Sequence, residues 1–264
     1  MAPSKLKDSS EDRPNRHFVT AFARGLAVIE AFGPENKAMT LAQVSKRTGL
    51  DRAVARRLLL TLTELGFAHV HERRFELTTR VLRLAYSFLS SAGLGTSLQP
   101  ILDGLARAIG ETVSLAVLDD AEVVFVARSD TPGRRLSYVI TTGMRLPAFS
   151  AASGRVLLAH QPRFEVEHLL SRTRIVRYTR HTIMLKREIL AQIAEARVKG
   201  YCINYGELEE GLVSVSVPIS NRAGIVVASL NASTSSARAN RERLAGEFVS
   251  KLKAISNELS AMLP

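Results

Sequence analysis

Residues 40–66, TLAQVSKRTGLDRAVARRLLLTLTELG, decide the fold of this chain. They hold two helical patterns, and a break of about three residues separates them. The second pattern carries three arginines on the side away from its apolar residues. This layout is typical of a helix-turn-helix, in which the second helix enters the major groove of DNA.

The first helix is predicted to begin at Thr40, whose hydroxyl can accept a hydrogen bond from an open backbone N–H group. Gln43 follows three residues later and can reach back to the backbone N–H of Thr40, which completes a capping box. Val44 is predicted to face inward. Gly49 can adopt the left-handed conformation that ends a helix, so a sharp turn is expected there.

The second helix is predicted to be capped by Asp51. Its expected buried stripe, at three-to-four spacing, is Val54, Leu58, Leu62 and Leu65. Arg52, Arg56 and Arg57 are then left to solvent or to a ligand. Arg52 lies in the first turn, where the helix dipole disfavours a cation by up to ~1 kcal/mol, and a polyanion would reverse that penalty. The alternative is an ordinary solvated helix face.

An earlier helix is predicted from Val19, with an inward stripe formed by Phe22, Leu26, Ile29 and Phe32. It should end at the breaker pair 33–34. After the helix-turn-helix, residues 67–77 (FAHVHERRFEL) alternate and turn at Glu72-Arg73-Arg74, which predicts a hairpin. A hairpin beside a helix-turn-helix makes a winged helix.

Basic residues at the predicted tip of this wing, Arg73 and Arg74, are placed to touch the sugar-phosphate backbone or the minor groove. His69 and His71 point to one face of a strand and could ligate a metal. No third ligand lies nearby in the sequence, so exposed polar positions are the favoured interpretation.

The predicted domains follow from composition. Residues 1–16 are poor in large apolar groups and are expected to form a flexible arm. Residues 17–78 form the winged-helix domain. Residues 79–95 form a linker helix, capped by Thr79 and followed by the small-residue stretch SSAGLG. Residues 96–264 form a second domain.

The second domain shows a helix, strands, inserted helices, more strands and a closing helix, which predicts an α+β class rather than alternating βαβ units. The expected strands are residues 113–118, 122–127, 136–140, 201–205, 212–219 and 225–233. The last helix is expected over residues 238–263. Ser214 and Ser216 should share one face of their strand. Asp119 and Asp120 are explained better by a tight turn than by a metal or catalytic pair.

One segment of this domain, residues 144–160 (MRLPAFSAASGRVLLAH), runs from an apolar loop into a helix that starts with small residues. Free N–H groups at such a start can bind a carboxylate without any cationic side chain. Close packing of the helix explains the same small residues, so both interpretations remain open.

The composition agrees with a two-domain protein that has proper cores, since 46% of the 264 residues are hydrophobic. The net charge of +11 raises the odds of a nucleic-acid partner. The single cysteine, Cys202, excludes internal disulfides and fits a reducing cytoplasm. No apolar run reaches the roughly 18 residues that a membrane span needs. A cytoplasmic protein without membrane contact is expected.

Several stretches together resemble the IclR family of bacterial transcription regulators, and the resemblance runs from Phe18 onward. These stretches are ARGLAVIEAF, TLAQVSKRTGL, RRLLLTLTELGF, LTTRVLRL, MRLPAFSAASGRVLLA, YCINYGELEEGLVSVSVPI and IVVASLNAS. Within the family, ARGLAVIEAFG, RAVARRLLLTL and RVLRLAYSFLSS resemble the subgroup that regulates catabolism of protocatechuate and 4-hydroxybenzoate through the β-ketoadipate pathway.

The resemblance implies an N-terminal winged helix, a linker helix and a C-terminal effector domain with a GAF-like or profilin-like sheet. It implies homodimers or homotetramers on palindromic operators in double-stranded DNA, and no cofactor or metal. It also implies an aromatic or dicarboxylic acid effector. By position in the matching motifs, the effector-binding residues would be Met144, Leu146, Ala152, Ser153, Asn204, Ser214, Asn231 and Ser233.

The predicted DNA-binding residues are Thr40, Arg52, Ala53, Arg56, Arg57, Arg73 and Arg74. Arg52 and Arg56 are expected to read bases, with methyl contact from Ala53 as a supplement, and the other arginines to hold phosphates. Many family members carry Ser-Thr where this chain has Ala53-Val54, so base contacts by those hydroxyls do not carry over. An acidic residue is common at position 204 and a cysteine at position 214.

These features predict a ligand-responsive, sequence-specific transcription factor for an aromatic-acid catabolic operon. Two other classes were weighed. An enzyme with an appended DNA-binding module would use Ser153 or Cys202 as nucleophile, but the six histidines are scattered. A nucleoid-type architectural binder would leave the second domain without a role.

Overall fold

The computed structural model describes residues 17–33, 35–91, 98–131 and 140–263. The described residues separate into two compact units, one up to Phe88 and one from Leu89 onward. The predicted arm at residues 1–16 and most of the SSAGLG stretch lie outside the described residues. Each unit mixes helices with an antiparallel sheet, as the α+β prediction requires.

The first unit is a winged helix. Its helices are α1 (Thr20–Glu30), α2 (Leu41–Thr48) and α3 (Arg52–Glu64), and its strands are β1 (Ala38–Thr40), β2 (Ala68–His71) and β3 (Arg74–Leu77). The strands form a three-stranded sheet in the order β1-β3-β2. Strand β1 was not predicted from the sequence, because three residues are too few to show an alternation.

The predicted ends of α2 and the predicted cap of α3 are confirmed, whereas α1 ends at Glu30, before the predicted breaker pair at 33–34. The Thr40 hydroxyl accepts from the N–H of Gln43, and the Gln43 side chain accepts from the N–H of Thr40 at 2.8 Å. Gly49 ends α2 with φ of 71°, in the left-handed region. Asp51 caps α3 by accepting from the N–H of Ala53 at 2.7 Å. These contacts span two or three residues, which is why sequence alone predicts them.

The predicted buried stripes of α1 and α3 are correct only in part: Leu62 is buried, and Ile29, Phe32 and Leu58 are partly buried against the core. In α1, Phe22 is 68% exposed and Leu26 40% exposed, while Val28 and Ala31 are buried. In α3 the buried residues are Ala55, Leu59 and Leu62, and Leu65 is exposed. Apolar residues occupy adjacent positions in both helices, so the spacing gives the period but not the phase.

A linker helix, α4 (Leu82–Ser91), follows a 3-10 turn at Thr79–Val81. The cap of this turn is Thr78, whose hydroxyl accepts from the N–H of Arg80 at 3.2 Å. The prediction of Thr79 as the cap was therefore wrong by one residue. Both threonines suit the position, and Thr78 also donates to the carbonyl of Gly66 at 2.6 Å, which decides between them.

The second unit is built on a six-stranded antiparallel sheet in the order β6-β5-β4-β9-β8-β7. Its strands are β4 (Thr112–Asp119), β5 (Glu122–Ser129), β6 (Arg145–Pro147), β7 (Cys202–Tyr205), β8 (Leu212–Ser220) and β9 (Val226–Ser235). Its helices are α5 (Gln99–Ile109), α6 (Ala152–Leu158), α7 (Arg163–Arg172), α8 (Lys186–Lys199), α9 (Arg241–Arg243) and α10 (Val249–Ser260). A π-helical turn at Leu244–Phe248 joins α9 to α10.

Two apolar cores flank this sheet. One contains residues of α5 and α10 together with Val215, and the other contains Phe149, Val156 of α6 and Ile193 of α8. Strand β8 alternates between them: Val213, Val215 and Val217 belong to the first core, so its serines face the second. The shared face predicted for Ser214 and Ser216 follows from that alternation.

Three predicted elements of this unit need comment. The strand expected over residues 136–140 lies largely outside the described residues, and Ile140 itself is in no strand. The closing helix begins at Arg241, and Arg238 is instead held by two hydrogen bonds to Glu111, each of 2.9 Å. The residues of strand β6 were predicted to form an apolar loop. They pair with β5 instead, with Arg145 opposite Val124.

Candidate functional site

The first unit presents a basic surface along α3. Arg52, Arg56 and Arg57 are exposed, as the sequence predicted, and Ala53 is exposed beside them. The Asp51 carboxylate is committed to the cap of α3 and does not pair with these arginines in any described contact. The side chains are therefore free to meet an external polyanion.

The wing has the geometry of a tight hairpin. Glu72 and Arg73 form its turn with φ of 47° and 64°, and Arg73 is exposed at the tip. Arg74 was predicted to lie at the tip, and this prediction was wrong. Arg74 is the first residue of β3, and its guanidinium donates to the carbonyl of Ala38 at 3.2 Å. Arg74 remains exposed, so it still presents charge on the sheet beside the wing.

The other residues singled out in this unit are Thr40 and the two wing histidines. Thr40 is half-buried, and its hydroxyl and N–H both contact the Gln43 side chain, so Thr40 positions α2. His69 lies 3.5 Å from the Glu76 carboxylate, and both wing histidines are exposed. Among the described residues no three His, Cys, Asp or Glu side chains form a group that could hold a metal ion.

The second unit contains an internal cavity between the sheet and the start of α6. Its volume is about 20 Å³, room for about one water molecule, so an organic acid can enter only when the lining moves apart. The lining combines apolar side chains with polar or backbone groups. Its apolar residues are Phe125, Ile140, Leu146, Leu208 and Leu212. Its polar or backbone groups come from Ser150, Ala151, Ala152, Ser153, Asn204, Glu207, Glu209, Ser214 and Asn231.

Hydroxyl and amide groups form a continuous hydrogen-bonded row beside this cavity. Ser153 of α6 lies 3.1 Å from Ser216, whose hydroxyl donates to Asn231 Oδ1 at 2.8 Å. Asn231 Nδ2 in turn donates to Ser233 at 2.9 Å, and Ser233 lies 3.2 Å from Ser214. The sheet register explains the row, since β8 and β9 pair Ser214 with Ser233 and Ser216 with Asn231. Hydroxyls can donate or accept, so this row can adapt to a ligand.

The start of α6 faces the cavity without a side-chain cap, because Ala151 precedes it. The backbone N–H groups of a helix start carry a partial positive charge that favours anions. Gly154 brings this start close to the preceding loop: a Cβ atom there would lie 2.1 Å from the carbonyl oxygen of Ala148. The small residues of this segment are therefore explained by close packing, and the buried N–H groups at the start of α6 have no side-chain cap.

Glu207 of the cavity lining belongs to a buried ion pair that sequence reasoning missed. Arg155 is 1% exposed, and its guanidinium donates two hydrogen bonds to Glu207, of 2.5 and 2.8 Å. The same carboxylate accepts from Asn204 Nδ2 at 2.8 Å and from the N–H of Ile183 at 3.1 Å. Glu207 thus joins α6, β7 and the segment before α8. Burial of both charges is tolerable because every carboxylate oxygen is hydrogen-bonded.

The side-chain amide of Asn204, predicted to bind the ligand, already has hydrogen-bond partners within the protein. Its Nδ2 also donates to the carbonyl of Ser150 at 3.0 Å, and its Oδ1 accepts from the N–H of Glu207 at 3.2 Å. The loop after β7 is held further by Thr179 and Thr182, which donate to the carbonyls of Gly206 and Glu207, each at 2.6 Å. The wall that carries Glu207 is therefore firmly anchored.

Six of the eight predicted effector-binding residues line the cavity: Leu146, Ala152, Ser153, Asn204, Ser214 and Asn231. Ser233 stands one contact behind the lining, and Met144 packs half-buried against the neighbouring core. Sequence reasoning missed Phe125, Glu207, Leu208 and Leu212. Their motifs carry a strand or turn pattern, and nothing in such a pattern tells which residue faces a cavity.

The two nucleophiles of the enzyme alternative are poorly placed for catalysis. The neighbour of the Ser153 hydroxyl is Ser216, which is no general base. Cys202 is buried, and burial raises the pKa of its thiol to about 11. A thiol with that pKa is almost wholly protonated at neutral pH and is a weak nucleophile.

In the part of the chain that the structure describes, no helix has the length and apolar character of a membrane span. Comparison with known families matches residues 21–71 to the IclR helix-turn-helix domain. Residues 86–261 match the C-terminal domain of the bacterial transcriptional regulator IclR. The two matches together cover most of the chain and agree with its two units.

Among curated proteins, the Pca regulon regulatory protein of Pseudomonas putida is 38% identical over 93% of this chain and 84% of its own length. The p-hydroxybenzoate hydroxylase transcriptional activator of Acinetobacter baylyi is 36% identical over 95% of this chain and 94% of its own. These relatives are named as regulators, which speaks against the enzyme alternative.

Solved structures agree with this fold. A transcriptional regulator from Rhodococcus sp. RHA1 is 41% identical, with a TM-score of 0.79 over 93% of this chain and 98% of that one. The inducer-binding domain of the Acinetobacter PobR transcription factor, a double mutant in complex with 3-hydroxybenzoic acid, is 29% identical. It has a TM-score of 0.60 and covers 63% of this chain and 97% of that one.

Proposed function

The chain belongs to the IclR family of bacterial transcriptional regulators, and on this premise we propose that it controls an aromatic-acid catabolic operon in response to an aromatic acid. The names of its relatives place them in the regulation of protocatechuate or p-hydroxybenzoate metabolism. A transcription factor of this kind acts on the chromosome, in the cytoplasm.

The cavity, whose lining combines apolar and polar groups, is the observation that carries the effector proposal. Once the lining opens, an aromatic ring would lie against Phe125, Leu146 and Leu212, where burial of its apolar surface is favourable. The carboxylate would accept hydrogen bonds from the free N–H groups of Ala152 and Ser153 at the start of α6. Ser214 and Asn231 can rotate or exchange partners to meet a further polar group.

Contact with DNA is proposed through α3 and the wing. Arg52 and Arg56 would contact guanine edges in the major groove, with Ala53 against a thymine methyl. Arg57, Arg73 and Arg74 would contact phosphates. Because a single recognition helix reads only a few base pairs, we propose that a homodimer or homotetramer places two such helices on a palindromic operator.

Ligand response requires that the effector bind one arrangement of the protein more tightly than another. We expect Glu207 to transmit effector binding from the cavity to the rest of the unit, because its carboxylate contacts α6, β7 and the segment before α8. Effector contact at the start of α6 would change the hydrogen bonds that the Glu207 carboxylate accepts from Arg155, Asn204 and Ile183.

Footprinting of the gene's own upstream region, with and without a panel of acids, tests the proposal. The panel contains benzoate, 4-hydroxybenzoate, protocatechuate and β-ketoadipate. We expect one protected palindrome and a changed footprint or affinity with at least one aromatic acid. Protection without any response to the panel would refute the aromatic-acid effector while leaving the DNA-binding role intact.

A further inference from the structure

A groove on the second unit, separate from the effector cavity, runs between α7 and α8. Its floor is apolar and includes Leu158, Val166 and Ile193, all buried. Ala191 and Ala194 of α8 form a shallow outer wall, and both are exposed. Small side chains along an exposed helix leave room for a partner to approach the backbone closely.

The rim of this groove is basic. Its charged residues, among those the structure describes, are Arg163, Arg187 and Arg197. Arg197 is held in place, since its guanidinium donates to the carbonyl of Ala159 at 2.6 Å. Arg163 has an 89% exposed side chain paired with Glu167, and an exposed pair of this kind contributes little energy. These charges are available to an incoming acidic group.

The segment that enters α8 strengthens the positive field. Between positions 172 and 187 the chain contains six cationic residues and no Asp or Glu: Arg172, Arg174, Arg177, Arg180, Lys186 and Arg187. All six are exposed. Arg187 belongs both to this run and to the groove and places a cation where α8 begins, whereas Arg172 pairs with Asp120 and Arg180 with Glu210.

We propose that this groove docks an acidic amphipathic helix of a partner protein. The apolar floor fits the hydrophobic face of a helix, and the arginine rim fits acidic side chains on its flanks. Duplex DNA would use the arginines but would leave the apolar floor unfilled.

The test measures fluorescence anisotropy of a labelled acidic peptide against the full-length protein. The peptide has about 18 residues, roughly five helical turns, with Leu at the i, i+3, i+4, i+7 positions and Glu elsewhere. A scrambled peptide of the same composition keeps the charge but loses the apolar face. The groove variants are Arg187→Glu and Ala194→Glu. Arg107→Glu, an exposed arginine on α5, is the matched control.

We expect the amphipathic peptide to bind at least about fivefold more tightly than its scrambled form. Both groove variants should weaken it about tenfold, and Arg107→Glu by less than about twofold. Equal binding of the two peptides, or an equal loss in the control, would reduce the groove to general cation attraction and overturn the proposal. The proposal also fails if short duplex DNA competes with the peptide and the Arg187→Glu substitution abolishes that competition. Loss of self-association in the groove variants, measured by sedimentation in the absence of peptide binding, would instead assign the groove to contact between copies.

Discussion

The guanidinium of Arg155 and the carboxylate of Glu207 form a bidentate ion pair that is almost wholly inaccessible to solvent. The two residues are 52 positions apart in the chain. Since Glu207 lines the effector cavity, the pair supports the fold of the site and also connects the site to the segment before α8.

Removal of one member of this pair should strongly destabilise the second unit. Glu207→Gln leaves a buried guanidinium without its counter-charge, and loss of one partner of a buried pair typically costs about 3–5 kcal/mol. Urea unfolding followed by circular dichroism measures the change. Glu210→Gln is the control, because Glu210 lies at 3.6 Å from Arg180 with both side chains largely exposed. A loss below about 1 kcal/mol for Glu207→Gln would show that the pair contributes little.

The Arg155–Glu207 pair also shows where sequence reasoning ends. The caps at Thr40 and Asp51 involve residues two or three positions apart, so a local pattern predicts them. A contact across 52 residues depends on how β7 and α6 meet in three dimensions. The identity of Glu207 as a wall residue therefore had no signal in a single sequence.

The phase of the helices was missed for a related reason. In α3, Leu58 and Leu59 are adjacent and both apolar, so a stripe through either has the same period. Leu59 is fully buried and Leu58 only partly. Packing against the other helices chooses between the two, and that information is not local.

Gly154 is expected to be irreplaceable by alanine. The added Cβ atom would lie 2.1 Å from the carbonyl oxygen of Ala148, which is backbone and cannot rotate away. We expect Gly154→Ala to lower the free energy of unfolding by about 1–3 kcal/mol or more. Gly104→Ala is the control: apart from its own stretch of helix, no atom of the described residues lies within 4 Å of its Cβ position, and alanine should stabilise α5 by roughly 0.5–1 kcal/mol. Equal effects in the two variants would argue against a close approach at Gly154.

Cys202 should be unreactive in the folded protein. Burial raises the pKa of its thiol from 9.0 to about 11, so labelling by a thiol reagent at pH 8 should proceed only after unfolding. The same shift predicts a pH dependence. The unfolded thiol ionises first, so its contribution to stability is complete below about pH 9 and is lost as the pH rises towards 11. Cys202→Ala should remove that decline, and rapid stoichiometric labelling at pH 8 would contradict a buried thiol.

Arg56 and Arg57 should differ in their effect on DNA binding. Arg56→Ala should cost about 1–3 kcal/mol on the operator and less on random DNA, because a base contact is lost. Arg57→Ala should weaken both about equally and reduce the salt dependence, as expected for a phosphate contact. Titrations at several salt concentrations separate the two. If Arg56→Ala weakens operator and random DNA by the same factor, Arg56 is a phosphate contact and base reading falls on Arg52.

Ser214 provides the direct test of the effector cavity. Its hydroxyl lines the cavity and contacts Ser233 at 3.2 Å, so Ser214→Ala removes a polar group from the wall with little change in volume. We expect the variant to bind its aromatic acid about three- to tenfold more weakly, the usual value of one hydrogen bond. Ser220→Ala, at the end of the same strand and outside the cavity lining, is the control. Thermal stabilisation by the acid measures affinity, since a ligand that binds only the folded state raises the melting temperature. Unchanged stabilisation in Ser214→Ala, with the acid still bound elsewhere on the chain, would move the effector out of this cavity.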